Sequence, residues 1–385
     1  MAGHRFLLTA AALVAATVLP TGTAHADVPA GACALPPTSA HLTEGVPTPA
    51  GHVPSHGTVR ATMVFVDFPD APAGDSTTGL RDQLLPGGPS WFTTSSYANL
   101  TVAVDAVTAR FYRMPRRSTD YGWRRGLTAE AHARYLNDAL AAVGRTVAFS
   151  GTNLLYVVPT RAAAEISFAA AYMGPVTAPD GTVITRSVTF GQDTAHWGSK
   201  VLNHETGHAL GLPDLYGYSG DLHRFVGGWD LMGLISGPSP DLLAWHKWKL
   251  NWLRYDQIGC VSATGRYVDT LVPISATGGR KGVVIRTGPT TVLVAEARAR
   301  TGLDAAACAT GVLIYSVNTA VASGNGPVLV KDSRPGSGGC GGHELNDAPF
   351  TVGGRFHDAA SNTTIDVTGR SGDDHRITIA FGVAP

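Results

Sequence analysis

Two histidines and a glutamate stand as His204, Glu205 and His208 in the stretch HETGHALGLPD, residues 204–214. On a helix, positions i and i+4 project from one face, so both imidazoles can share a single metal ion. Glu205 lies about 100° round from His204, beside that ion without being a ligand, where a carboxylate can hold a water. Gly211 and Pro213 can turn the chain sharply, Gly by accepting positive φ, so that Asp214 swings back as a third ligand. Three protein ligands with a fourth position left to water is the pattern of a catalytic rather than a structural zinc site. The chain has 14 His and only 6 Glu, so a random HExxH would arise roughly 0.01 times in it. The nearest internal comparison, His343-Glu344, has Asp347 where a second histidine would be needed and reads as a solvated loop.

Met232 follows Asp214 by eighteen residues in VGGWDLMG, residues 226–233. Here the chain resembles the metzincin metallopeptidases, whose extended HExxHxxGxxH/D motif is followed by a turn carrying a Met beneath the zinc. It is most similar to the M6 (immune inhibitor A-like) secreted metalloproteases, through HETGHALGLPDLY at 204–216, VGGWDLMG, AWHKWKLNWL at 244–253 and VFVDFPD at 64–70. SSYANLTV at 95–102, LVAEAR at 293–298 and GVLIYSV at 311–317 extend the likeness across residues 59–320. The resemblance implies a zinc endopeptidase acting on protein or peptide substrates. It places zinc on His204, His208 and Asp214, with Glu205 as the general base. The chain departs from the pattern in its short segment ahead of the first strand, where the family carries a longer propeptide, and in Asn251, where the pattern favours Gly. Tyr216 and Tyr218 serve either packing or oxyanion stabilisation; His223 reads as an exposed loop residue.

The elements that must position these groups are legible in outline. Residues 59–68 form an apolar run ended by Pro69-Asp70 and read as a buried strand, with further strands at 100–107 and 153–158. Residues 127–143 have helical spacing, with Thr128 as N-cap. Intermixed strands and helices imply an α/β catalytic domain over 59–258, zincin-like by the resemblance, with a mixed sheet and an active-site helix. Beyond Cys260, short stretches at 281–286, 291–295, 311–317 and 375–381, broken by Gly and Pro, read as a β-rich C-terminal unit over 259–385. Trp245, Trp248 and Trp252 have helical spacing and read as core. Residues 27–58 read as an extended arm or short propeptide.

Residues 1–26 carry one full charge, Arg5, then an apolar run and Ala24-His25-Ala26, the marks of a signal peptide cleaved before Asp27. No apolar run reaches the roughly 20 residues of a spanning helix, so the expected product is secreted and not membrane-anchored. In an oxidising compartment the four cysteines suit two disulfides. Of the three pairings we favour Cys308 with Cys340, which share a Gly-rich β region, and so Cys33 with Cys260.

Lys+Arg 29 against Asp+Glu 29 gives zero formal charge, which argues against a dedicated nucleic-acid binder, whose phosphate contacts need clustered excess positive charge. No GxSxG elbow or GxxxxGK[ST] loop is present. Gly336, Gly338 and Gly341 satisfy GxGxxG but follow Pro335 and lead into no helix pattern, so the dinucleotide reading fails its context. The Asp-rich loops around Asp180 and Asp221 match no EF-hand, which leaves calcium open. Asn99 and Asn362 lie in N-x-T sequons. A monomer is expected. The competing class is a secreted binding or adhesion protein with a silent or structural zinc; Glu205 counts against it, because a structural site has no need of that carboxylate.

Overall fold

The computed structural model describes Met1 and residues 31–238 and 240–384; the expected signal peptide, residues 1–26, lies outside the described residues apart from Met1. The first strand, β1 (Gly57–Asp67), precedes two short helices, α1 (Thr77–Leu84) and α2 (Gly88–Ser95). Strands β2 (Leu100–Ala106) and β3 (Tyr112–Arg113) follow, then α3 (Ala129–Val143), β4 (Leu154–Pro159) and β5 (Ala170–Tyr172). A hairpin of β6 (Val176–Thr177) and β7 (Val183–Ile184) leads to β8 (Arg186–Thr189), α4 (Thr194–Trp197), α5 (Ser199–Ala209) and α6 (Ala244–Lys249). The main sheet has the order β2-β1-β4-β8-β5, with β3 also on β1. All its pairs are parallel except β5 on β8, which makes β5 an antiparallel edge.

The continuous apolar run of β1 has a simple cause. Val59, Ala61, Met63 and Phe65 face a core shared with α5, while Val64, Val66 and Phe68 face a second core under α3. A strand buried on both faces shows no alternation of apolar and polar residues. The helix α3 starts where the spacing predicts, with the Thr128 hydroxyl accepting from Ala131 N at 3.2 Å.

The C-terminal part is β-rich. Strands β9 (Ile258–Val261), β10 (Gly265–Leu271), β11 (Gly282–Arg286), β12 (Thr291–Arg298) and β13 (Gly311–Asn318) come first, then β14 (Val328–Lys331), β15 (Arg355–Asp358), β16 (Thr363–Ser371) and β17 (Asp374–Phe381). They form a five-stranded sheet, β14-β13-β12-β11-β9, and a four-stranded antiparallel sheet, β10-β17-β16-β15. Leu293 and Ala295 face the four-stranded sheet, whereas Val292 and Val294 join the core that also holds α5 and β1. That core is therefore continuous between the two parts of the chain. Cys308 pairs with Cys340 and Cys33 with Cys260, as favoured from the sequence. Among the described residues no helix is long and apolar enough to cross a membrane.

The described part of the arm has no regular strand or helix, as its composition implies, but it is woven into the core. Leu35, Val46 and Val53 are buried in it, and Val53 N donates to Ala209 O at the end of α5 at 3.1 Å. Glu44 is fully buried: its Oε1 meets His246 Nε2 at 2.9 Å and its Oε2 meets Lys249 Nζ at 3.4 Å. The other His246 nitrogen, Nδ1, donates to Asp230 Oδ2 at 2.8 Å. A line of buried charge thus joins the arm, α6 and the turn around Asp230. α6 ends with Asn251 in the left-handed conformation at φ +60°, Asn251 N donating to Trp248 O and Trp252 N to Lys247 O. Asn tolerates that conformation next best after Gly, so the turn forms without a glycine.

Burial alone would lower the His246 pKa, but Asp230 and Glu44 outweigh it and lift it from 6.5 to about 10. The proton is held more tightly in the folded state. This stabilisation is complete below the unfolded value near pH 6.5 and is lost as pH rises through about 10. Glu44→Ala should lower the unfolding free energy in urea at pH 7 by about 3–5 kcal/mol, the usual cost of leaving a buried partner charge alone. Stability of the native protein should fall more steeply than that of the variant between pH 7 and about 10; parallel pH profiles would refute the assignment.

Candidate metal centre

α5 is buried from Val201 to its end, wedged between the main sheet and the loops that follow it. His204 and His208 lie on one face with ring centroids 4.8 Å apart. Each ring is aimed by a backbone carbonyl: His204 Nδ1 donates to Leu231 O at 3.1 Å and His208 Nδ1 to Leu212 O at 2.8 Å. With Nδ1 as donor, Nε2 of each ring is the atom free to ligate, and both Nε2 atoms point to one spot.

The helix ends as the sequence suggests. Gly211 takes φ +98°, Leu212 N donates to Gly207 O at 2.9 Å and Gly211 N to His208 O at 2.8 Å, the paired bonds of a Schellman turn. The reversed chain brings Asp214 Oδ1 to 3.1 Å from His204 Nε2 and 3.2 Å from His208 Nε2. Two further contacts orient this carboxylate. Tyr218 donates its hydroxyl to Asp214 Oδ2 at 2.7 Å, and Asp214 N donates to Ser323 Oγ at 2.9 Å, from the loop after β13.

Beneath the helix, Met232 is fully buried, and a Cβ placed on Gly207 would lie 2.7 Å from its Sδ. That contact explains a glycine inside a helix, where it otherwise costs stability. Asp230 shapes the turn carrying Met232, accepting from Met232 N at 2.8 Å and from Leu243 N at 2.8 Å.

His204, Glu205 and His208 could together hold a metal ion: one side-chain donor atom from each lies within 4.8 Å of the others. Asp214 Oδ1 is nearer still to both imidazoles, so the nitrogen, nitrogen and oxygen donors suit a borderline divalent cation. The electrostatics agree. Burial would lower the His208 pKa, yet Asp214 lifts it from 6.5 to about 9. Asp214, for which burial works upward, is held well below the usual carboxylate range by the two imidazoles. A cation seated here takes the place of the His208 proton and satisfies the same carboxylate. Burial pushes the Glu205 carboxyl above its ordinary value, with the histidines opposing.

A cleft runs past Glu205 in two lobes, of about 590 and about 650 Å³. His208 and Asp214 line the first, His204 the second, and Glu205 both. The structure thus gathers all four residues singled out by the spacing, together with Met232. Tyr216 borders both lobes and Tyr218 the first; burial and the Asp214 charge keep both phenols protonated well above neutral pH. His223 is not an exposed loop residue: it is half-buried, donates from Nδ1 to Gly233 O at 3.0 Å and packs edge-on against His343 at 4.9 Å. The loop at Glu344 is not simply solvated either. Its carboxylate accepts from the backbone N–H groups of Gly336, Ser337 and Gly338, so the Gly-rich stretch encloses an internal anion. Ser323, 109 residues from Asp214, had no signal in the sequence.

No protein-family model matches the chain, and no curated protein matches it. The site is therefore described by its own geometry. A Cβ on Gly211 would lie 2.5 Å from Thr48 Cγ2 in a conformation that L side chains rarely adopt. Gly211→Ala should therefore cost about 1–3 kcal/mol in urea unfolding and lower the bound metal measured by atomic emission. Full stability with full metal content would contradict the role given to this turn.

Proposed function

We propose that the protein is a secreted zinc endopeptidase of the M6-like, metzincin type, with His204, His208 and Asp214 as ligands and Glu205 as general base. The observation that carries this reading is the position of Glu205. It lies beside three converging donors yet faces both lobes of an open cleft, where a structural site would be closed. Zinc, when bound, supplies a Lewis acid that polarises the scissile carbonyl and acidifies water.

The chain's own groups do the rest. Glu205 takes a proton from the attacking water onto its carboxylate and returns it to the leaving amine. Tyr218 and Ser323 hold Asp214 in place, while Leu231 O and Leu212 O fix the ring orientations. The antiparallel edge β5 borders the cleft through Ala170 and Ala171, and an extended peptide laid along a sheet edge can pair with it. Protein or peptide substrates fit this arrangement. Secretion is consistent with two disulfides.

Glu205→Gln should retain stoichiometric zinc and lose casein hydrolysis by at least about 100-fold, the scale of a lost general base. The native activity should vanish with a chelator and return with zinc. Undiminished hydrolysis by the variant would overturn the assignment of Glu205; a protein that binds zinc and cleaves nothing would favour the binding-protein class.

A further inference from the structure

Guanidinium groups line both lobes of the cleft. Arg125 borders both, on a short loop between Gly122 and Gly126, each at positive φ. The loop is held by Trp123, 6% exposed, whose Nε1 donates to Phe168 O at 2.9 Å. The Arg125 guanidinium lies over the Phe168 ring, 4.6 Å from its centroid, a stacking that orients the charge without neutralising it. Arg113 and Arg298 are each paired with a carboxylate at 2.8 Å. Arg125 makes no such ion pair among the described residues, and its charge faces the cleft.

In the second lobe Asp193 meets this charge, its own Oδ2 held by Ala169 N at 2.9 Å, but Arg124 adds a second guanidinium there. The first lobe has no such carboxylate: apart from Glu205 and Asp214 of the metal centre, it is bounded by neutral groups such as Leu42, Leu127 and Met173. A planar guanidinium at the edge of this lobe matches a carboxylate in two-pronged fashion.

We propose that Arg125 is a specificity-determining residue that favours substrates with an Asp or Glu side chain beside the scissile bond. The proposal rests on the peptide-hydrolysing reading and names its substrate class.

Matched fluorogenic peptides carrying Glu or Gln at each flanking position test this. The wild-type ratio of kcat/KM for Glu over Gln should be roughly five- to tenfold at one flank or both, and should shrink with added salt. Arg125→Ala should bring the ratio to about one, and Arg125→Glu should invert it. Each ratio is internal to one preparation, so a variant with a smaller folded fraction still reports. Cleavage of both peptides at equal rates by the wild type, or a ratio unchanged in Arg125→Ala, would overturn the role of Arg125 and leave hydrolysis standing. Binding of the same labelled peptides to Glu205→Gln by fluorescence anisotropy separates the two readings. Selective binding with no wild-type cleavage would sink hydrolysis and retain the recognition. Neither binding nor cleavage would sink both.

Discussion

One carboxylate oxygen, Asp214 Oδ1, has to meet two imidazoles of the same helix face at once, and much of the architecture serves that contact. A helix cannot supply the third group from its own surface, so the chain must reverse within three residues of His208. Gly211 makes the reversal and Leu212 O then orients His208, so one turn sets both a ring and the acid that faces it. The acid is in turn held from the far part of the chain through Ser323. The site is assembled from α5, the loop after it, the turn around Met232 and a loop of the β-rich part. It cannot be complete until all of these are packed.

The buried line Asp230, His246, Glu44 and Lys249 makes sense in that setting. Taking charges out of water is costly, and an apolar cluster of like volume often serves stability as well. Here each charge also fixes a backbone direction. Asp230 holds Met232 N and Leu243 N, while Lys249 Nζ donates to Thr43 O at 2.6 Å. The network therefore sets the floor beneath His204 and the course of the arm together.

Local patterns were readable in the sequence wherever one segment carries its own cause. The i, i+4 histidines, the Gly-Pro punctuation, the Thr128 cap and the doubly buried run of β1 each depend on residues a few positions apart. The disulfide partners followed from an even count and a shared Gly-rich region. What escaped notice depends on distant chain. The arm looks featureless because its partners, His246 and Lys249, lie some two hundred residues on. Composition marked it as irregular and could not tell a loose tail from a buried strap. His223 reads as exposed from the sequence because its burial comes from Gly233 and His343. Asn99 stands in the sequence only as a sequon, yet its amide donates to Ser96 O at 2.8 Å and to Trp252 O at 3.3 Å, which ties the end of α2 to the end of α6. Arg125 had no motif at all; its interest lies in what does not pair with it.

The five-stranded sheet is buried on both faces, one against the four-stranded sheet and the other against the core around α5. It behaves as a shared wall and not as the flank of a detachable module. Val292, Val294, Leu313 and Tyr315 fill the same space as Met232, Trp245 and Leu212. Separating the two parts would strip a large apolar face from each. A change in side-chain volume on either side of that wall must be answered on the other, so the helix carrying the histidines and the β strands far downstream are bound to diverge in step.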